Sequence, residues 1–133
     1  MPIRRAALAA MLLLTACVTP SGVAVDLCNT SWRGLDPIIV SGTGGDPQNV
    51  PISCVSAIDD KRVSIGFEMP PGPDCYELSA IDLEESADAV AITLMVSPIE
   101  DIGGSCSPEP ARRVTEIDLQ SPVGDRTLLD GSR

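Results

Sequence analysis

A chain of 133 residues with a formal net charge of −10 is sized for one domain around one modest core. Its 19 acidic residues face nine basic ones, which excludes a nucleic-acid binder that works by phosphate neutralisation and a basic patch for anionic headgroups. It has no histidine, so Ser-His and Cys-His nucleophile pairs are excluded as well.

The chain starts with a positive segment, Met1-Pro2-Ile3-Arg4-Arg5, followed by an unbroken apolar run from Ala6 to Leu14. A spanning helix needs about 20 residues, so this run is too short for one. Its length and flanks predict a secretory signal peptide over residues 1–16. Small residues Thr15 and Ala16 precede Cys17. Leu14-Thr15-Ala16-Cys17 resembles the lipobox of bacterial lipoproteins. The resemblance implies cleavage before Cys17, a diacylglyceryl thioether on its sulfur, and attachment to a membrane. Each buried methylene contributes about 0.8 kcal/mol, so two acyl chains hold where one does not. Residues 17–27, with Thr19-Pro20-Ser21-Gly22, then read as a lipidated tether. Residues 28–133 read as the β-domain.

Asn29 to Pro37 is irregular. Ile38-Ile39-Val40 is a short β-branched candidate strand, stopped by the loop Ser41-Gly42-Thr43-Gly44-Gly45-Asp46-Pro47. That loop lacks the Gly-Lys-Ser/Thr of a phosphate cradle and brings Asp46 instead. Val50 to Ala57 predicts a second strand and Asp59-Asp60-Lys61 a turn. In Arg62 to Met69 the residues Val63, Ile65, Phe67 and Met69 share one face, the pattern of a half-buried strand. Gly66 marks a bulge or a close neighbour, and Pro70-Pro71-Gly72-Pro73 ends the strand.

Tyr76 to Glu84 and Ala89 to Val96 predict a hairpin across the polar link Glu85 to Asp88. Leu78 and Ile81 are one residue out of step, which predicts a β-bulge between them. A helix over 76–96 is the alternative, since Leu, Ala and Glu are helix formers. The strict alternation of Val90, Ile92, Leu94 and Val96 favours strands. Residues 97–110 read as a loop. Arg112 to Leu119 predicts a strand with Thr115, Ile117 and Leu119 on one face. Ser121-Pro122-Val123-Gly124 turns the chain into a short last strand, Arg126 to Leu129. The fold class expected is all-β, a small antiparallel sandwich or partly open barrel.

The only aromatic residues are Trp32, Phe67 and Tyr76, so the core must be aliphatic and gains from covalent cross-links. Setting Cys17 aside leaves Cys28, Cys54, Cys75 and Cys106. An even number in an exported chain predicts disulfides. Three pairings are open. Cys28–Cys54 with Cys75–Cys106 is favoured, because each bridge closes one contiguous half of the domain. Metal binding is disfavoured by the lack of His and of any Cys-x-x-Cys, and no cofactor is expected. The acidic pairs Asp59/Asp60, Glu84/Glu85 and Glu100/Asp101 read as solvated turns, because neighbours on a strand point to opposite faces. Glu84, Glu85 and Asp88 crowd one turn, but the Asp-x-Asp-x-Asp-Gly calcium loop is missing. Arg126 and Asp130 are spaced for a local ion pair.

From Asp74-Cys75-Tyr76 onward, through Glu84 or Glu85, Val90-x-Ile92-x-Leu94 and Cys106, the chain resembles an uncharacterised domain of small exported lipoproteins of actinobacterial type. The closing run that carries the resemblance is Ile117-x-Leu119-x-x-Pro122-x-Gly124-x-Arg126-x-x-x-Asp130. The resemblance implies the fold, the Cys75–Cys106 bridge and the exported compartment, and it transfers no catalytic residue. The function expected is a non-enzymatic cell-envelope lipoprotein, a structural or interaction module with an envelope protein as partner. The alternatives are a small ligand-binding lipoprotein with a pocket near Trp32 and Tyr76, and a hydrolase with an unrecognised site.

Overall fold

The computed structural model describes residues 20–42, 45–100 and 103–133. The signal peptide and Cys17 lie outside the described residues. Among the described residues eight strands form: β1 Val23–Ala24, β2 Gln48–Val50, β3 Ile52–Ala57, β4 Arg62–Met69, β5 Tyr76–Glu85, β6 Ala89–Pro98, β7 Ala111–Asp118 and β8 Thr127–Asp130.

The strands form two sheets around an aliphatic core. In the first, β6 is central. One of its edges carries β5 along its length. The other is shared end to end, by β8 over Ala89–Ile92 and by β2 over Leu94–Val96. β1 adds to β8. The second sheet runs β3-β4-β7. The period-two residues meet between the sheets: Val63, Ile65 and Phe67 of β4 and Val90, Ile92, Leu94 and Val96 of β6 are fully buried. Hydrophobic burial of these two faces is what the alternation in the sequence encodes. The expected bulge is present, as a register shift between Leu78 and Ala80.

The two sheets are joined into a partly open barrel. At Pro51 the chain leaves the first sheet at Val50 and enters the second at Ile52, so the predicted Val50 to Ala57 strand is two strands. Proline has no N–H for a ladder, which makes it a natural point of exchange between sheets. The buried Asp130 carboxylate, 3 % exposed, accepts the Ile52 N–H at 2.9 Å just past this corner. The same side is closed by residues first assigned to the tether. After β1 pairs with β8, the Asp26 carbonyl accepts the Val55 N–H, and the Cys28 N–H donates to the Val55 carbonyl, both at 2.9 Å. The folded part therefore takes in Val23 to Leu27.

Two further features differ from expectation. Ile38-Ile39-Val40 is not a strand. It crosses from one sheet to the other: the Ile38 N–H donates to the Val114 carbonyl of β7 and the Ser41 N–H to the Leu78 carbonyl of β5, each at 2.9 Å. Three residues making that passage cannot form a ladder with either strand. The last strand, β8, is parallel to β6, whereas the other pairs among the eight strands are antiparallel. Both predicted disulfides are formed, Cys28–Cys54 with Cα atoms 4.8 Å apart and Cys75–Cys106 with Cα atoms 5.8 Å apart.

Gly66 is explained by a close neighbour. A Cβ built there would lie 2.7 Å from Cys54 Sγ and 2.8 Å from Cε3 of Trp32. Trp32, at the end of the 3₁₀ turn Thr30–Trp32, packs against Gly66 on the outer face of the second sheet, where only glycine admits it. Gly66→Ala is expected to cost about 1–3 kcal/mol through this overlap. A urea midpoint equal to the wild type would contradict the stacking.

Candidate functional site

Four places on the surface could carry function. The first surrounds Trp32. Its indole packs against Gly66, beside Cys54 Sγ, and the Arg112 guanidinium stands 4.8 Å from the ring centroid. Arg112 Nη1 also donates to Ser31 Oγ at 2.7 Å. A cavity of about 310 Å³ beside it is lined by Cys28, Asn29, Ser56, Ser64 and Val114 among others. The aromatic ring is half-buried against the sheet, so it acts as a cover for it.

The second surrounds Tyr76. A cavity of about 430 Å³ is lined by Pro71, Tyr76, Pro98, Ile99 and the Cys75–Cys106 bridge. Its lining is mostly apolar, as ligand pockets are. Of the two residues near which a pocket is expected, each lines a separate cavity.

The third is a groove of about 680 Å³ between the β5–β6 turn and the loop after β7. Arg126 is the centre of it. Its side chain is 8 % exposed and its Nη1 lies 3.0 Å from Glu85 Oε1. The guanidinium also donates to the carbonyls of Ser86 at 3.3 Å, Pro122 at 3.1 Å and Ser121 at 2.7 Å. Glu85 in turn accepts the N–H groups of Gln120 at 2.9 Å and Ser121 at 3.5 Å. Burial pushes the Glu85 carboxyl up; the Gln120 N–H, the Arg126 guanidinium and the Ser121 N–H push the other way and prevail, holding it below its ordinary value. This is a lock that ties the turn of one sheet to the loop leaving the other. The expected Arg126–Asp130 pair is replaced by Arg126–Glu85, and Asp130 pairs instead with Arg133 at 3.4 Å. The two residues sit at opposite ends of β8 and secure different corners. Glu84, whose side chain alternates with that of Glu85, points to the outer face and is exposed. Among the described residues no group of three or more His, Cys, Asp or Glu is arranged to hold a metal ion.

The fourth is the outer edge of β5. In an antiparallel pair, alternate residues aim both backbone groups at the partner and the others aim them away. Leu78 is one that aims away, since its carbonyl receives Ser41. Ile92 turns its carbonyl from β5 toward the Gly131 N–H at 2.8 Å, so Leu83, opposite it in the register, also faces outward. Ile81 has the same parity. Among the described residues no backbone group meets Ile81 or Leu83 from outside. Their side chains belong to the core-facing set, yet Leu83 is 37 % exposed, because β5 and β7 do not pair. Sequence alternation assigns the face of Ile81 correctly but carries no information that its strand lies at an edge.

No family model, curated protein or solved structure matches this chain.

Proposed function

We propose that the protein is a non-enzymatic cell-envelope module, held to a membrane by lipid on Cys17, that engages another envelope protein through an open sheet edge. Two disulfides suit an oxidising, extracytoplasmic environment. Among the described residues no helix is long and apolar enough to cross a membrane, and the lipobox-like Leu14-Thr15-Ala16-Cys17 supplies the anchor in this reading. The observation that supports engagement is the outer edge of β5, where the backbone groups of Ile81 and Leu83 face outward. The part-buried Arg126 and Glu85 and the buried Asp130 hold corners of the barrel, and in this reading their role is structural.

The Tyr76 cavity favours a second reading, a small apolar ligand bound beside the Cys75–Cys106 bridge. Its volume of about 430 Å³ falls within the range of small-molecule sites.

Fatty-acid labelling and capture of partners from detergent-solubilised membranes, with Cys17→Ala as control, test the proposal. The wild type should carry the label, fractionate with membranes and retain a protein partner after detergent extraction. Cys17→Ala should lose the label and leave the membrane fraction. Equal labelling of both chains removes the anchor, and capture of a small molecule with no protein partner transfers support to the second reading.

A further inference from the structure

We infer that the gap between β5 and β7 is a receptor for an extended, basic segment of the partner, which adds as a strand along Ala80–Glu84. This deepens the interaction reading and rests on it.

The gap is closed by this chain itself at one end. Residues 37–41 cross it, joining Val114 of β7 and Leu78 of β5 through single N–H donors, with Pro37 in a parallel bridge to Val114. At the other end Glu85 reaches across to the N–H of Gln120. Between these two closures the edges are unjoined. Ile81 and Leu83 present outward N–H and C=O groups from β5. Glu116 has the parity of Val114, whose carbonyl faces the gap, and so presents its own groups from β7. A strand placed there finds donors and acceptors on both sides, which is the requirement for strand addition.

The side chains specify the occupant. Core-facing Ile81 and half-exposed Leu83 offer apolar contacts to every second residue of an added strand. The outer face carries Asp82 and Glu84 on β5 and Glu116 on β7, all exposed. Like charges directly opposite on a sheet repel and unlike charges attract. The occupant that fits alternates apolar residues with Lys or Arg. A second copy of this chain would bring a second acidic β5 edge, so the same charges oppose self-pairing.

The test uses the full chain with its disulfides intact and three short probe peptides: alternating Val and Lys, alternating Val and Glu, and the Val/Lys peptide interrupted by Pro. Binding is read by amide chemical shifts and hydrogen exchange. The Val/Lys peptide should protect the Ile81 and Leu83 amides from exchange, and the other two peptides should not. Asp82→Lys with Glu84→Lys, both at the surface, should leave the fold intact, weaken the Val/Lys peptide about tenfold or more, and admit the Val/Glu peptide. The inference is overturned by equal binding of Val/Lys and Val/Glu, by no binding of Val/Lys, by protection confined to another edge, or by self-association through β5. A membrane partner captured equally by the wild type and the charge-reversed chain would keep the interaction reading and sink this one.

Discussion

Arg126→Ala is expected to lower stability by about 3–5 kcal/mol, the cost of leaving a buried carboxylate without its partner. The Glu85 side chain is 14 % exposed and Arg126 lies 3.0 Å from it. Removing the guanidinium also takes the donor away from the carbonyls of Ser86, Pro122 and Ser121. The loop after β7 is pinned elsewhere too, by Leu119 N–H to Lys61 and Val123 N–H to Asp60, both at 2.7 Å, so it cannot relax freely. Stability of a domain this size is about 5–15 kcal/mol, and the variant should melt roughly 10–20 °C lower. Arg126→Lys restores charge but not the planar fork that serves four acceptors, and should recover only part of the loss.

The same lock sets an acid limit. Glu85 is held below its ordinary 4.5 in the folded chain, so its ionised form favours the fold. That contribution is complete above the value in the unfolded chain and disappears as pH falls through the folded value. Wild type should therefore lose stability on acidification below about pH 4.5 more steeply than Glu85→Gln, whose side chain does not titrate. Urea midpoints of wild type, Arg126→Ala, Arg126→Lys and Glu85→Gln at neutral and acid pH separate these effects. An Arg126→Ala midpoint equal to wild type would show that the contact contributes nothing.

What was legible in the sequence follows the same physics. Strict alternation in Val63, Ile65, Phe67 and Met69, and again in Val90 to Val96, fixes which face of β4 and β6 is buried, because one residue of slip would expose the whole set. The step between Leu78 and Ile81 likewise exposes the bulge. Alternation says nothing about which strand lies beside which. The exchange of sheets at Pro51 and the parallel seat of β8 on β6 depend on how distant segments meet. Ile38-Ile39-Val40 has β-branched residues, and propensity reports fitness for a pleated surface, not a ladder to join. A spacing of four suggests an Arg126–Asp130 pair, but Arg126 just precedes the extended β8 and Asp130 ends it, and the partner that matters is 41 residues away in sequence.

Removing the Cys28–Cys54 bridge is the second large effect expected. Cys28→Ala with Cys54→Ala should cost about 3–4 kcal/mol, since the bridge spans 26 residues and closure of a loop of that order restricts the unfolded chain by this amount. The bridge closes the N-terminal run onto β3, where the Cys28 N–H also meets the Val55 carbonyl. Cys54 Sγ and the Trp32 ring meet at Gly66, so loss of the bridge changes the surroundings of the indole. Trp32 is the sole tryptophan, and its emission reports this place alone. The double variant should keep its strand signal in circular dichroism while the emission moves to the red. Paired with Gly66→Ala, the losses should fall short of their sum, because both substitutions disturb one stack of three groups. Removing Cys75–Cys106 should lower stability with the indole emission unchanged, since that bridge lines the Tyr76 cavity. Emission that responds to both bridges alike would mean that Trp32 reports the fold as a whole, and that the sulfur beneath it has no special hold on the ring.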